Sequence, residues 1–162
     1  MEKALIGMSG GVDSSVAAFL TQQAGYACIG ATMRLFSNDV LGEEQQSTCC
    51  SLDDVEDAKS VARRMGMPHY TFNFQDAFRE TVMDKFVRCY ERGGTPNPCI
   101  DCNRYMKFDK LLDFARQRGL QYVVTGHYAR IAYDAASGRW LLKKAVDDSK
   151  DQSYVLYMLS QE

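Results

Sequence analysis

Lys3-Ala4-Leu5-Ile6-Gly7-Met8-Ser9-Gly10-Gly11-Val12-Asp13-Ser14-Ser15 sets the fold, because three kinds of patterning follow one another there without a break. An apolar run at residues 3–8 has strand length, two adjacent glycines make a turn, and residues 14–23 carry helical patterning that Gly25 stops. The alternation then repeats. A second strand is expected at residues 26–35. A helix follows, opened by Ser51 with Asp54 as a capping box, striped by Leu52, Val55, Ala58, Ala62 and Met65, and ended by Gly66 and Pro68. Tyr70, Phe72 and Phe74 alternate as a third strand. Phe78, Val82, Phe86 and Cys89 or Tyr90 stripe another helix, stopped by Gly93-Gly94. Phe108, Leu111, Leu112 and Ala115 stripe a further one, with Gly119 as its stop and a fourth strand at residues 122–125. Strands alternating with helices predict the α/β class, a Rossmann-like parallel sheet flanked by helices. From Tyr128 the pattern changes, and residues 129–133 and 140–143 around a turn predict an appended β-hairpin near the C-terminus.

The bulk properties agree with one globular domain. The chain has 162 residues, of which 46% are hydrophobic and 25% charged, which excludes disorder and coiled coil. The longest apolar runs are strand-sized and no basic-then-apolar leader precedes residue 3, so the expectation is a cytoplasmic protein with no membrane partner. Six cysteines in such a chain read as buried apolar residues, metal ligands or reactive thiols, not a disulfide framework. Cys28 and Cys89 fall in apolar runs and are expected in the core. Cys49, Cys50, Cys99 and Cys102 fall in polar, turn-rich stretches. The formal net charge of -2 does not by itself point to nucleic acid.

Gly7-Met8-Ser9-Gly10-Gly11-Val12-Asp13-Ser14 joins the first strand to the first helix, a context suited to phosphate. Gly10 and Gly11 can take positive φ, letting successive N–H groups converge on an anion, and the helix adds its positive dipole end. No Lys follows the last glycine, so this is not a Walker loop, and the spacing does not fit a dinucleotide fingerprint. The run resembles the Ser-Gly-Gly-x-Asp-Ser signature of the ATP pyrophosphatase (PP-loop) superfamily, which cleaves ATP between its α and β phosphates. That resemblance implies an adenine nucleotide alpha hydrolase-like domain that binds ATP. Ser9, Gly10, Gly11, Asp13 and Ser14 would hold the pyrophosphate, Asp13 would help position Mg2+, and adenine would rest near Met33.

Thr95-Pro96-Asn97-Pro98-Cys99-Ile100-Asp101-Cys102-Asn103 is the second signal. Its prolines restrict the backbone, so residues 93–103 read as a stiff loop presenting two thiols, with Arg104 and Lys107 nearby to favour thiolate. Such a loop suits covalent sulfur chemistry or metal binding. With Thr125-Gly126-His127-Tyr128 and Lys150-Asp151-Gln152-Ser153-Tyr154, the two motifs resemble the tRNA-specific 2-thiouridylase family in order and spacing across essentially the whole chain.

The resemblance implies that ATP adenylates the C2 oxygen of a tRNA wobble uridine and that a persulfide sulfur then displaces AMP. Cys102 aligns with the nucleophile, and Cys99 is the second candidate thiol of this segment. Asn97, Pro98 and Cys99 would lie beside the target base, Gly126 at the nucleotide, and His127, Lys150, Asp151 and Gln152 against tRNA. The implied partners are tRNA and a persulfide sulfur-donor protein, with no DNA.

Many family members have Asp where this chain has Cys99, which leaves the division of labour between the thiols open. Some members have been proposed to carry an iron-sulfur cluster, for which Cys99 and Cys102 are natural ligands, and no residue is assigned outright as a metal ligand. Two rival readings are a PP-loop enzyme transferring nitrogen to a small adenylated substrate, and a non-catalytic cysteine metal-binding module. Val155, Leu156, Met158 and Leu159 read as an amphipathic helix halting at Glu162. The expectation is therefore one PP-loop domain over residues 1–162, with tRNA-binding domains and a second catalytic cysteine downstream, and no thiolation by the chain alone.

Overall fold

A computed structural model describes residues 1–36 and 52–161. The loop expected at residues 37–50, with Cys49 and Cys50, and Ser51 of the capping box lie outside the described residues. Four strands, β1 (Lys3–Gly7), β2 (Ala27–Arg34), β3 (His69–Asn73) and β4 (Tyr122–Val124), form a parallel sheet in the order β3-β2-β1-β4. The chain builds outward from β1 through β2 to β3, then returns to the other side of β1. The carboxyl ends of β1 and β4 therefore flank the crevice where the strand order reverses, which is where open α/β sheets bind ligands.

Side-chain parity along the strands sorts the core into two halves. Ala4, Ile6, Met8 and Cys28 pack with Ala18 of α1 (Val12–Gln23) and with Ala58 and Ala62 of α2 (Leu52–Arg64). The alanines allow both helices to sit close to the sheet. Leu5, Ala31, Met33 and Leu35 face the other way, onto Phe78, Val82, Met106, Leu111 and Ala115. Each fully buried side chain of this size contributes about 1.5–3 kcal/mol. These partners come from α3 (Gln75–Phe78), which runs through a π-helical stretch, Arg79–Met83, into α4 (Asp84–Glu91), and from a second helical run. That run comprises α5 (Pro98–Asp101), a π-helical stretch, Cys102–Lys110, and α6 (Leu111–Gln117). The stripe on α4 fades as expected positions become exposed: Phe86 and Cys89 are half-buried and Tyr90 is exposed.

Gly25 ends α1 at φ 88°, where Tyr26 N–H donates to Thr21 O (3.4 Å) and Gly25 N–H to Gln22 O (3.0 Å), satisfying carbonyls the helix leaves open. The expected hairpin is β5 (Arg130–Asp134) and β6 (Arg139–Lys143). It forms a separate two-stranded sheet, with Tyr133 and Trp140 in ring contact at 5.2 Å. The helix expected at the C-terminus is instead a short 3-10 turn, Ser153–Val155. The Asp151 carboxylate accepts from Ser153 N–H (3.3 Å) and Ser153 Oγ (2.7 Å), a local turn that competes with continued helix. Val155 and Leu156 are buried nonetheless. Among the described residues, no helix is long and apolar enough to cross a membrane.

Candidate nucleotide and thiol site

Residues 8–14 leave β1 and turn into α1 under tight constraint. Met8 N–H donates to Ala31 O (2.8 Å) and Thr32 Oγ1 donates to Met8 O (2.9 Å), which anchors the base of the turn. Gly10 takes φ 82°, and a Cβ there would lie 2.5 Å from the Asp54 carbonyl oxygen, so the fold itself requires glycine. Gly11 differs from the expectation of positive φ. It sits at φ -77° and ψ 167°, a backbone conformation open to any residue, and among the described residues an added Cβ would meet only Ser9 Oγ at 3.6 Å.

The buried Ser14 hydroxyl braces the turn, accepting from Ser9 N–H (3.1 Å) and donating to Gly11 O (3.1 Å). α1 starts at Val12, two residues before the expected Ser14, so the first-turn N–H groups belong to the glycine turn itself. Those donors and the helix dipole make a cradle for a polyanion.

The end of β4 closes the other side of the crevice. A Cβ on Gly126 would lie 2.7 Å from both Asp13 C and Ser14 N, so this segment lies directly against the first turn of α1. Two residues on, Tyr128 Oη donates to Asp13 Oδ1 (2.6 Å), and that bond raises the phenol's pKa. Tyr128 was not singled out from the sequence, although it stands inside the quoted Thr125–Tyr128 motif. Met33 is 8% exposed and its side chain belongs to the core. Ladder alternation points Met33 N–H and C=O towards the β1 side, past the last β1 residue, Gly7, so what Met33 presents to the crevice is main chain.

His127 is a half-buried residue and not a surface cation. Its Nδ1 pairs with Thr125 Oγ1 (2.7 Å) and its ring stacks on Phe108 (6.0 Å). Burial first, then the charge of Lys107, pushes its pKa down to about 4, so it is neutral at pH 7. The native state thus binds a proton less readily than the unfolded chain. His127 therefore contributes stability that is fully present above pH 6.5 and is lost as pH falls towards about 4. His69, lowered mainly by burial, acts in the same direction. The melting temperature should fall between about pH 7 and about pH 4.5, and His127→Asn should flatten that slope. An equal slope in the variant would refute the assignment.

The cysteine segment departs most from expectation. Residues 98–103 are helical, not a loop: Asn97 is the N-cap, its Oδ1 accepting from Cys99 N–H (3.1 Å), and Pro98 follows at the first helical position. Cys99 is exposed, and Cys102 is half-buried against the core. At i and i+3 their Cβ atoms are neighbours, about 5–6 Å apart on a helix. Asn103 is buried, and its Nδ2 donates to Cys99 O (2.8 Å) while its Oδ1 is buried without a partner among the described residues. The Arg104 guanidinium lies over the Tyr105 ring (5.3 Å). Lys85 pairs with Asp101 (2.5 Å) and, with Arg88 and Arg92, lines an adjoining groove of about 590 Å³.

Residues 150–155 join the parts. Gln152 Oε1 accepts from Tyr128 N–H (3.0 Å), Gln152 N–H donates to Tyr128 O (2.8 Å), and Lys150 Nζ lies 5.4 Å above the Tyr128 ring. Asp151 also accepts from Ala145 N–H (2.8 Å), so Asp151 and Gln152 are engaged within the protein and Lys150 is the exposed member of the three. The Ser153–Val155 turn packs against α5, which carries Cys99. A second cavity of similar size, about 600 Å³, opens at the opposite end of the sheet around Tyr26, Tyr70, Phe114 and Arg118, away from these groups.

Asp13 suits a magnesium ion carried mainly by a nucleotide's phosphates, since Tyr128 occupies Oδ1 and leaves Oδ2. Among the described residues, no three His, Cys, Asp or Glu side chains are grouped to hold a metal. Cys99 and Cys102 alone fall short of the four thiolates of a typical iron-sulfur cluster.

Residues 2–162 match the model of the tRNA methyl transferase HUP domain. The tRNA-specific 2-thiouridylase MnmA of Clostridioides difficile is 55% identical over 161 residues, 99% of this chain and 44% of that protein. The MnmA of Clostridium acetobutylicum is 52% identical over 99% of the chain and 45% of that protein. The chain thus spans under half the length of these relatives. Among solved structures, NMN synthetase from Francisella tularensis matches with a TM-score of 0.50 and 23% identity over 75% of this chain and 44% of that one. Glutamine-dependent NAD+ synthetase from Acinetobacter baumannii, solved with ADP, matches at 0.50 and 22% over 75% and 20%. The structural likeness establishes the fold alone.

Proposed function

The chain belongs to the tRNA methyl transferase HUP domain family, and from that membership we propose that it is the nucleotide-binding, sulfur-transferring part of a tRNA 2-thiouridylase. The observation that carries the reading is the convergence of the glycine turn, Gly126 and Tyr128 at the switch point, with a helix bearing two thiols tied in through residues 150–155.

In the proposed reaction the C2 oxygen of uridine attacks the α-phosphorus of ATP, and the P–O bond to the β-phosphate breaks. Pyrophosphate leaves into the N–H groups of residues 10–14, which stabilise its charge. With its oxygen now bonded to AMP, C2 carries a good leaving group. The terminal sulfur of a persulfide on Cys102 then attacks C2, and the C2–O bond breaks to release AMP. A second thiol next attacks the Cys102 sulfur of the bridging S–S bond, leaving the sulfur on the base as 2-thiouridine. Magnesium bound with ATP would screen the phosphate charge, and Asp13 is the side chain placed to hold it.

On this reading neutral His127 would meet tRNA by hydrogen bonding and exposed Lys150 by charge. Lys85, Arg88 and Arg92 line a groove beside the thiol helix that suits a phosphate backbone. Asn97 and Pro98 fix the start of the thiol helix and so the face it would turn to the base. A persulfide-bearing protein would supply the sulfur in a soluble compartment.

The test uses the full-length natural protein with unmodified tRNA, ATP and a persulfide source, and digests the tRNA for mass analysis of its nucleosides. ATP-dependent replacement of oxygen by sulfur in uridine is expected. Amide formation on a small substrate, with no change in the tRNA, would favour the nitrogen-transfer reading.

A further inference from the structure

Asp13, Tyr128 and Gln152 form an unbroken chain from the phosphate loop to the neighbourhood of the thiols. Tyr128 has little slack within it. Its hydroxyl donates to Asp13 Oδ1 (2.6 Å), and its N–H and C=O both bond to Gln152 (3.0 and 2.8 Å). Lys150 lies over its ring at 5.4 Å, and upstream Gly126 is pressed against α1, where one added carbon would come within 2.7 Å of Asp13 and Ser14 main chain. Gln152 in turn carries the turn beside α5: its carbonyl accepts from Val155 N–H (3.2 Å), and Ser153–Val155 packs on Pro98–Asp101.

We propose that Tyr128 and Gln152 form a latch coupling occupancy of the phosphate loop to residues 150–155 and the thiol helix beside them. The proposal rests on the reading of residues 7–14 as a nucleotide site. A hydrogen bond to a carboxylate is roughly twice as strong as one between neutral groups. A nucleotide bound at the loop changes the charge around the Asp13 carboxylate, and with it the strength of the bond to Tyr128. That difference between bound and empty states is the differential free energy that any coupling requires. The latch links the two halves of the chemistry, since Asp13 serves the adenylation step and α5 carries Cys99. Tyr128 is a positioning residue in this scheme.

Amide hydrogen exchange of this chain, with and without saturating ATP and magnesium, tests the latch. Binding should slow exchange at residues 9–14 by roughly tenfold or more, and at Gln152 and Val155 by about fivefold, within the usual range of site coupling. Tyr128→Phe and Gln152→Ala, at nucleotide concentrations that still slow residues 9–14, should lose the response at Val155. A purely structural role would instead raise exchange there equally with and without nucleotide, leaving their ratio as in the unchanged protein. Either that ratio surviving in both variants, or a wild-type response confined to residues 9–14, overturns the latch. No response at residues 9–14 in the wild type removes the nucleotide site itself, and the latch falls with it.

Discussion

Cys102→Ser in the full-length enzyme should leave ATP-dependent pyrophosphate release intact while lowering 2-thiouridine formation at least about a thousandfold, as expected when a nucleophile is removed. In the proposed reaction adenylation would use the glycine turn and Asp13 and no thiol, so the two readouts separate. Sulfur transfer needs a cysteine that can carry the persulfide and reach C2. On the proposed function that cysteine is Cys102. It is half-buried against the core at the start of the Cys102–Lys110 stretch, a setting that restricts how a carried sulfur can point. Cys99 is exposed on the first turn, less constrained than Cys102, and Cys99→Ser should slow transfer far less. If Cys99→Ser stops transfer and Cys102→Ser does not, the roles are reversed.

How far the residues announced this arrangement depended on the range over which each signal acts. The four parallel strands were legible because three are short apolar runs and the third strand in sequence shows alternating aromatics, and the stop signals at Gly25, Gly66, Gly93 and Gly119 all coincide with positive φ. The thiol helix was not legible as a helix. Asn97-Pro98 reads as stiffness when the prolines are weighed alone. The same pair is an N-cap followed by the first helical position once Asn97 Oδ1 receives Cys99 N–H.

Local turn chemistry also defeated the apolar run at residues 155–159, where Asp151 captures Ser153 and leaves a 3-10 turn. Tyr128 escaped notice for a different reason. Its partner Asp13 is 115 positions away, and no periodicity reports a side-chain bond across that separation. Asp151 and Gln152 illustrate the converse, since a motif read only as a ligand contact also bonds to Ala145, Ser153 and Tyr128 within the protein.

Gly10 and Gly11 look equivalent in the sequence, yet their substitution should separate stability from binding. Gly10→Ala places a Cβ 2.5 Å from the Asp54 carbonyl oxygen at φ 82°, a conformation L residues rarely adopt. The backbone of α2 or of the turn must move, at a cost of about 1–3 kcal/mol from the conformation alone, with the clash in addition. A clear fall in melting temperature follows even without nucleotide. Gly11→Val meets no such barrier, because φ -77° and ψ 167° suit a β-branched residue and the nearest atom to an added Cβ is Ser9 Oγ at 3.6 Å. Its cost should be about 1 kcal/mol, the loss of a tolerated N-cap residue.

On the reading of this turn as the phosphate cradle, Gly11→Val puts a branched side chain beside the first-turn N–H groups that a phosphate would approach. The unchanged protein at a nucleotide concentration of about 100 times Kd should gain about 2.7 kcal/mol. For a domain of this size that is a rise of roughly 5–10 °C in melting temperature. Gly11→Val should fold and lose that rise almost entirely, whereas Gly10→Ala should already be compromised before nucleotide is added. A full nucleotide-dependent rise in folded Gly11→Val would mean that the anion does not sit on this turn, and the nucleotide site would have to be sought elsewhere along the sheet's carboxyl edge.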